Sequence, residues 1–112
     1  MPTEKNHAGE FLVSEGNGEI SREVITIASG QDLPAGQVIA KLTAGGEYVA
    51  YDNVGSDGSE VAAGILFEAV DASAAATKGL GIVRLAEVNE ALLTDSDDDA
   101  KTDLAALNII VR

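Results

Sequence analysis

Residues 29–52 read SGQDLPAGQVIAKLTAGGEYVAYD, and their punctuation decides the fold class. Leu33-Pro34-Ala35-Gly36 has the chemistry of a tight turn, with Pro34 presetting φ at the first central position and Gly36 able to take positive φ. Residues 38–43 follow as a short apolar strand. Gly45-Gly46 reverses the chain, because glycine tolerates the mirror-type turn that matches the twist of paired strands. Residues 47–52 return, with Tyr48 and Ala50 on one face and Val49 and Tyr51 on the other. A hairpin so poor in reactive side chains builds a surface, not a reaction centre.

Working outward, the β-branched run 23–27 (EVITI) reads as a strand closed by Ser29-Gly30. Residues 53–59 (NVGSDGS) are a loop by composition. Residues 61–70 form a longer strand-like run in which Gly64 marks a bulge or a close backbone approach. Residues 72–81 are small and polar, which predicts a loop, and residues 82–85 a short strand. Val88, Ala91 and Leu92 recur at i, i+3 and i+4, a helical period. A second short helix is expected in SDDDAKTDLAAL (96–107). There Ser96 or Asp95 can cap, and Asp97, Asp98 and Asp99 meet the positive helix end. Residues 109–111 close the chain as a strand. The pattern is mainly β with two short helices, and no internal repeat recurs at a fixed period.

The chain has 112 residues, enough for one domain. Residues 1–20 are polar and interrupted by Gly9, Gly16 and Gly18. They read as a flexible N-terminal arm preceding a β domain at 21–112. Hydrophobic residues make up 46% of the chain but aromatics only 4%, so the core must be built from Val, Ile, Leu and Ala. A domain of this size buries roughly two-thirds of its unfolded surface, and self-association would add apolar area that one small core cannot supply. Nineteen acids against seven bases give a net charge of −12. That field disfavours nucleic acid and anionic membrane surfaces as partners. No cysteine is present, which suits a reducing compartment. The N-terminus lacks the basic start and the apolar run of about 7–15 residues of a secretory signal. No apolar stretch reaches the ~18 residues of a membrane span.

The residues of catalysis do not assemble. The one histidine, His7, lies in the arm, where nothing holds a general base within reach of a nucleophile. Asp95-Ser96-Asp97-Asp98-Asp99 invites a calcium reading. The calcium-loop pattern, however, wants glycine and glutamate where counting from Asp95 gives Ala100 and Ala106, so a solvated helix start is expected. Gly16-Asn17-Gly18 lacks the third glycine of a dinucleotide fingerprint, Ser21 standing in its place. Glu60 and Glu68 have no spacing that marks an acid–base pair. No cofactor, no metal and no enzymatic activity are expected.

LPAGQVIAKLTAGGEYVAYD, AAGILFEAVDAS, VRLAEVNEALL, the acid-capped helix and a final LNIIVR follow one another in an order that resembles the head decoration proteins of tailed phages, the family of phage lambda protein D. The resemblance runs from about Ile20 to Arg112. It implies a homotrimer with a β-clip-like small barrel and a mobile N-terminal arm. Such a trimer sits at three-fold and quasi-three-fold positions of the expanded head and cements the major capsid protein against the pressure of packaged DNA. The implied location is the outer surface of the virion head, after assembly in the host cytoplasm.

An arm with an apolar triplet can add a strand to an exposed sheet edge of another protein. Phe11, Leu12 and Val13, with Glu15 and Ile20, are accordingly the candidate capsid-binding residues. The same triplet could equally cover this domain's own core. Leu33, Pro34, Ala35 and Gly36, with Gly45 and Gly46, are candidate surface or trimer contacts, or simply turns that close the fold. The alternative function is a virion-surface binding module that grips glycans or a host surface, with Phe11, Phe67, Tyr48 and Tyr51 as its available aromatics.

Overall fold

The structure is a computed structural model and describes residues 12–15 and 21–112. Its strands in chain order are β1 (Leu12–Glu15), β2 (Arg22–Ile27), β3 (Gln31–Leu33), β4 (Val38–Lys41) and β5 (Tyr48–Ala50). After these come β6 (Ala62–Leu66), β7 (Val70–Ala72), β8 (Thr77–Ile82), β9 (Ala86–Val88) and β10 (Ile109–Val111), with α1 (Asp98–Ala106) before the last.

Alternation along β2 sends Ile25 and Ile27 inward and leaves Val24 outside, so one face of the strand must be covered. Closure solves this: β2, β5, β4, β6 and β8 form a five-stranded barrel in that order. A barrel also removes free strand edges. Its longest seam is antiparallel β2–β8, registered from Arg22↔Ile82 to Ile27↔Thr77. The ring closes between β2 and β5 through one parallel bridge, Ile27↔Tyr48, and the Ala28 amide donating to the Tyr48 carbonyl at 2.9 Å. The ribbon β3–β7 covers one end, and with it Ile25, Ile27, Leu33, Ile39, Leu66, Val70 and Ala72 form the barrel core.

A second core lies on the other side of the barrel wall. Val38, Tyr51, Ile65 and Ile82 point there, against Ala100 and Leu104 of α1 and Ala86, Val88 and Ile109 of a three-stranded sheet. That sheet runs β1-β9-β10, antiparallel on the β1 side and parallel on the β10 side. The predicted two faces of residues 47–52 are realised: Tyr48 and Ala50 pack on the barrel core and Tyr51 on the second core.

The hairpin at 45–46 forms as expected, both glycines having positive φ (83° and 72°) and the Leu42 amide meeting the Glu47 carbonyl at 2.8 Å. The preceding turn is displaced by one residue. It runs from the Pro34 carbonyl to the Gln37 amide, so Ala35 and Gly36 (φ 87°) are its central residues. Gly64 stands beside a register slip, with Ile39 opposite Gly64 and Ala40 opposite Ala62. A Cβ on Gly64 would lie 2.6 Å from the Ile82 carbonyl oxygen, the close backbone approach that its glycine signals.

Three expectations are corrected. Residues 77–82 are a strand, not part of a loop: Gly79 and Gly81 are the wall against which large core side chains press. A Cβ at Gly79 would meet Val70 Cγ2 at 2.7 Å, and one at Gly81 would meet Ile25 Cδ1 at 3.1 Å. The run 61–70 breaks into β6 and β7 at residues 67–69. The helical period at Val88, Ala91 and Leu92 gives only a 3-10 turn, Glu90–Leu92, so the two short helices reduce to one α-helix and one turn. Pairing of Ala86–Val88 between β1 and β10 overrides the local period there.

Candidate functional site

Position decides what the acidic run before and within α1 does. Asp97, not Ser96 or Asp95, is the N-cap, and its Oδ1 accepts from the Ala100 amide at 2.8 Å and from the Tyr51 hydroxyl at 3.1 Å. Asp98 and Asp99 occupy the first turn, where the helix dipole favours carboxylates. Asp103 Oδ2 accepts from the Ala62 amide at 2.9 Å, and Asp95 Oδ2 from Gln37 Nε2 at 2.8 Å. Three carboxylates thus pin α1 and its entry to the barrel wall. Among the described residues, no group of three His, Cys, Asp or Glu side chains could hold a metal ion.

Burial pushes the Tyr51 phenol up to about 12, helped by its hydrogen bond to Asp97 and by the charges of Asp97, Asp99 and Asp103. Tyr48 is also raised, by burial first and then by Glu23. An unfolded tyrosine ionises near pH 10. Stability held by the neutral Tyr51 is therefore complete below about pH 10 and is lost as pH rises through about 12. An ultraviolet titration of the folded protein is expected to show Tyr51 still neutral at pH 10, and Tyr51→Phe to abolish the highest-pH step. A phenolate signal from both tyrosines at pH 10 would contradict the buried Tyr51–Asp97 pair.

Strand β1 places the N-terminal candidates. Leu12 pairs with Val88 and is half-buried on the second core, whereas Val13 is 55% exposed at a register slip between Leu12 and Ser14. Glu15 pairs with Ala86 through its backbone. Phe11 and Ile20 lie outside the described residues, as does His7. Within the expected arm of residues 1–20, then, Leu12–Glu15 is a strand of the domain's own sheet.

The two faces of that sheet differ. Leu12, Val88, Ala86 and Ile109 face the core, while Ile110 is 52% exposed and pairs across to Glu87. Arg112 reaches Glu87, Nε to Oε1 at 2.9 Å, on the same outer face. Leu85, exposed and with φ of 53°, enters the sheet beside it. The segment that leads to the N-terminus and the strand that ends the chain therefore share one side of the molecule, with Val13, Leu85 and Ile110 displayed around the ion pair.

Of the turn candidates, Leu33 and Ala35 are buried (6% and 1% exposed) and Gly36 is buried with them. Pro34 and Gly46 are half-buried and Gly45 is exposed, so these three are what the turns present outward. Sequence reading passed over Leu85 and Ile110. The alternation in residues 109–111 could have found Ile110, but nothing local marks Leu85.

A family model described as Bacteriophage lambda head decoration protein D matches residues 1–109 of the chain. No curated protein matches it significantly.

Proposed function

The chain belongs to the bacteriophage lambda head decoration protein D family, and from that membership we propose that it is a cementing protein, binding as a homotrimer at three-fold and quasi-three-fold sites of the expanded head. The family is one of structural proteins of the phage capsid, so capsid decoration on the virion is its role. The observation that carries the proposal is that the match extends over residues 1–109, taking in the N-terminal segment as well as the barrel.

Residues 1–11 act as the capsid-binding arm, and strand β1 with residues 21–112 as the decoration domain. Phe11 in the arm, with Val13 at its root, adds to an exposed edge or groove of the major capsid protein, where main-chain hydrogen bonds give affinity and alternate side chains give specificity. The outer face carrying Val13 and Ile110 supports this reading, because an arm leaving at β1 starts from an apolar, partly exposed platform. Ordering an arm costs about 1–2 kcal/mol for each fixed residue. Three arms on one trimer offset that cost by raising effective concentration, so binding switches on only where the shell presents three sites together.

Mixing the protein with undecorated expanded heads, then heating them or withdrawing magnesium, tests the function. The expected result is a clear rise in intact particles at saturating protein. Equal rupture with and without the protein would sink the cementing role.

A further inference from the structure

Asp57-Gly58 is the one Asp-Gly dipeptide in the chain, and Asp57 is exposed on the loop between β5 and β6. Glycine after aspartate favours self-modification, because no Cβ shields the following amide and the backbone turns freely toward the carboxyl group. In that reaction the Gly58 nitrogen bonds to Asp57 Cγ. The amide hydrogen and the carboxyl hydroxyl leave as water, and a five-membered succinimide closes. Water then opens the ring at either carbonyl. Opening at the former backbone carbonyl leaves isoaspartate, whose main chain runs through the side-chain carbon.

In the folded chain both reacting groups are already engaged. The Gly58 amide donates to Glu60 Oε1 at 2.9 Å, so the nucleophile points at a carboxylate of its own loop. Asp57 Oδ1 accepts from the Ser59 hydroxyl at 2.5 Å and from the Ser59 amide at 3.1 Å. Those bonds favour the charged form and hold the Asp57 carboxyl below the usual carboxylate range. The ring closes on the neutral acid, because oxygen leaves an ionised carboxylate far less readily. The backbone on both sides is fixed as well. The Asp57 carbonyl accepts from the Thr43 amide at 2.9 Å and the Ser59 carbonyl from the Asp52 amide at 2.8 Å, while Ser59 itself is buried. Gly58 has a φ of 108°, and a Cβ on it would lie 2.6 Å from the Lys41 carbonyl oxygen, so the main chain has no room to rotate toward attack. We propose that Asp57-Gly58 is a latent succinimide site, held closed by Ser59 on the electrophile and by Glu60 on the nucleophile, and that loosening of this loop converts residue 57 to isoaspartate. The extra main-chain carbon would break the Thr43 and Asp52 bonds that seat the loop against the β4–β5 hairpin. This chemistry is independent of what the chain binds.

The full chain is tested by ageing it in one mildly acidic buffer, folded and, in parallel, unfolded in urea. Isoaspartate at residue 57 is read by peptide mapping and by isoaspartyl methyltransferase labelling. Mapping keeps it apart from Asn17-Gly18, which carries the related deamidation. The unfolded chain is expected to accumulate isoaspartate at residue 57 at least about ten times faster than the folded protein, because the folded loop must open first. Ser59→Ala and Glu60→Ala, each checked for an unchanged circular dichroism spectrum, should raise the folded rate several-fold toward the unfolded one. Val54→Ala, on the same loop with its parent side chain 89% exposed, should leave the rate unchanged. Should the buried Ser59 prove necessary for folding, the half-buried Glu60 carries the test. Equal rates in the folded and unfolded chains, no isoaspartate at residue 57 in the unfolded chain, or a folded Glu60→Ala protein that ages like wild type overturns the proposal.

Discussion

Leu104→Ala is expected to cost about 2–5 kcal/mol, the range for deleting a buried leucine side chain where the cavity cannot collapse. Helix α1 buries only two residues, Ala100 and Leu104, both fully. Leu104 is thus the one large side chain by which the helix holds the second core, among Ile65, Val88 and Ile109. The polar links at Asp97 and Asp103 remain in the variant, each worth about 1.5–3 kcal/mol net as a hydrogen bond to a charged group, but they do not fill the cavity that the missing side chain leaves. Native domains are stable by about 5–15 kcal/mol in total, so the loss is a large share. Urea unfolding followed by circular dichroism measures it: the midpoint should fall sharply with the slope unchanged. A midpoint that barely moves would mean that α1 is an accessory to the barrel and that the second core does not depend on it.

Removing residues 1–11 is expected to abolish most head binding while leaving the domain folded. Where the cut is made matters. Leu12–Glu15 is strand β1, with Leu12 against the core, so a deletion reaching residue 19 would strip a strand from the sheet and confuse misfolding with lost binding. Cutting before Leu12 takes the arm and spares the platform. Multivalent attachment commonly raises avidity by about 10²–10⁴ over one contact, and that gain is what three missing arms forfeit. Co-sedimentation with expanded heads, beside a thermal melt of the free protein, reads both quantities. A truncated protein that binds as tightly as the full chain removes the arm from the account and transfers the task to the outer face around Val13 and Ile110.

Turn glycines and the acidic start of a helix were the legible part of this fold. Gly45-Gly46 reverses the chain where its composition says it must, Gly64 stands at a backbone approach too close for any Cβ, and the acidic run begins a helix. These signals are local: a positive φ or a helix dipole constrains the residue that meets it. Strand β8 was illegible for the opposite reason. TKGLGI looks like loop because Gly79 and Gly81 lack side chains, yet they lack them to make room for Val70 and Ile25 from other strands. Strand β9 was hidden by a helical spacing that its neighbours β1 and β10 override. The candidate site divides the same way. The apolar triplet around Leu12 stands out in a polar segment, but that Leu12 faces inward and Val13 outward depends on a register slip no sequence window contains.

Image reconstruction of expanded, undecorated heads incubated with the full chain measures the central claim most directly. The account predicts three-lobed density on the outer surface at every three-fold and quasi-three-fold position, with each lobe fitting the barrel and its β1–β9–β10 side toward the shell. Bare shells at saturating protein, or density centred on other positions, would contradict it.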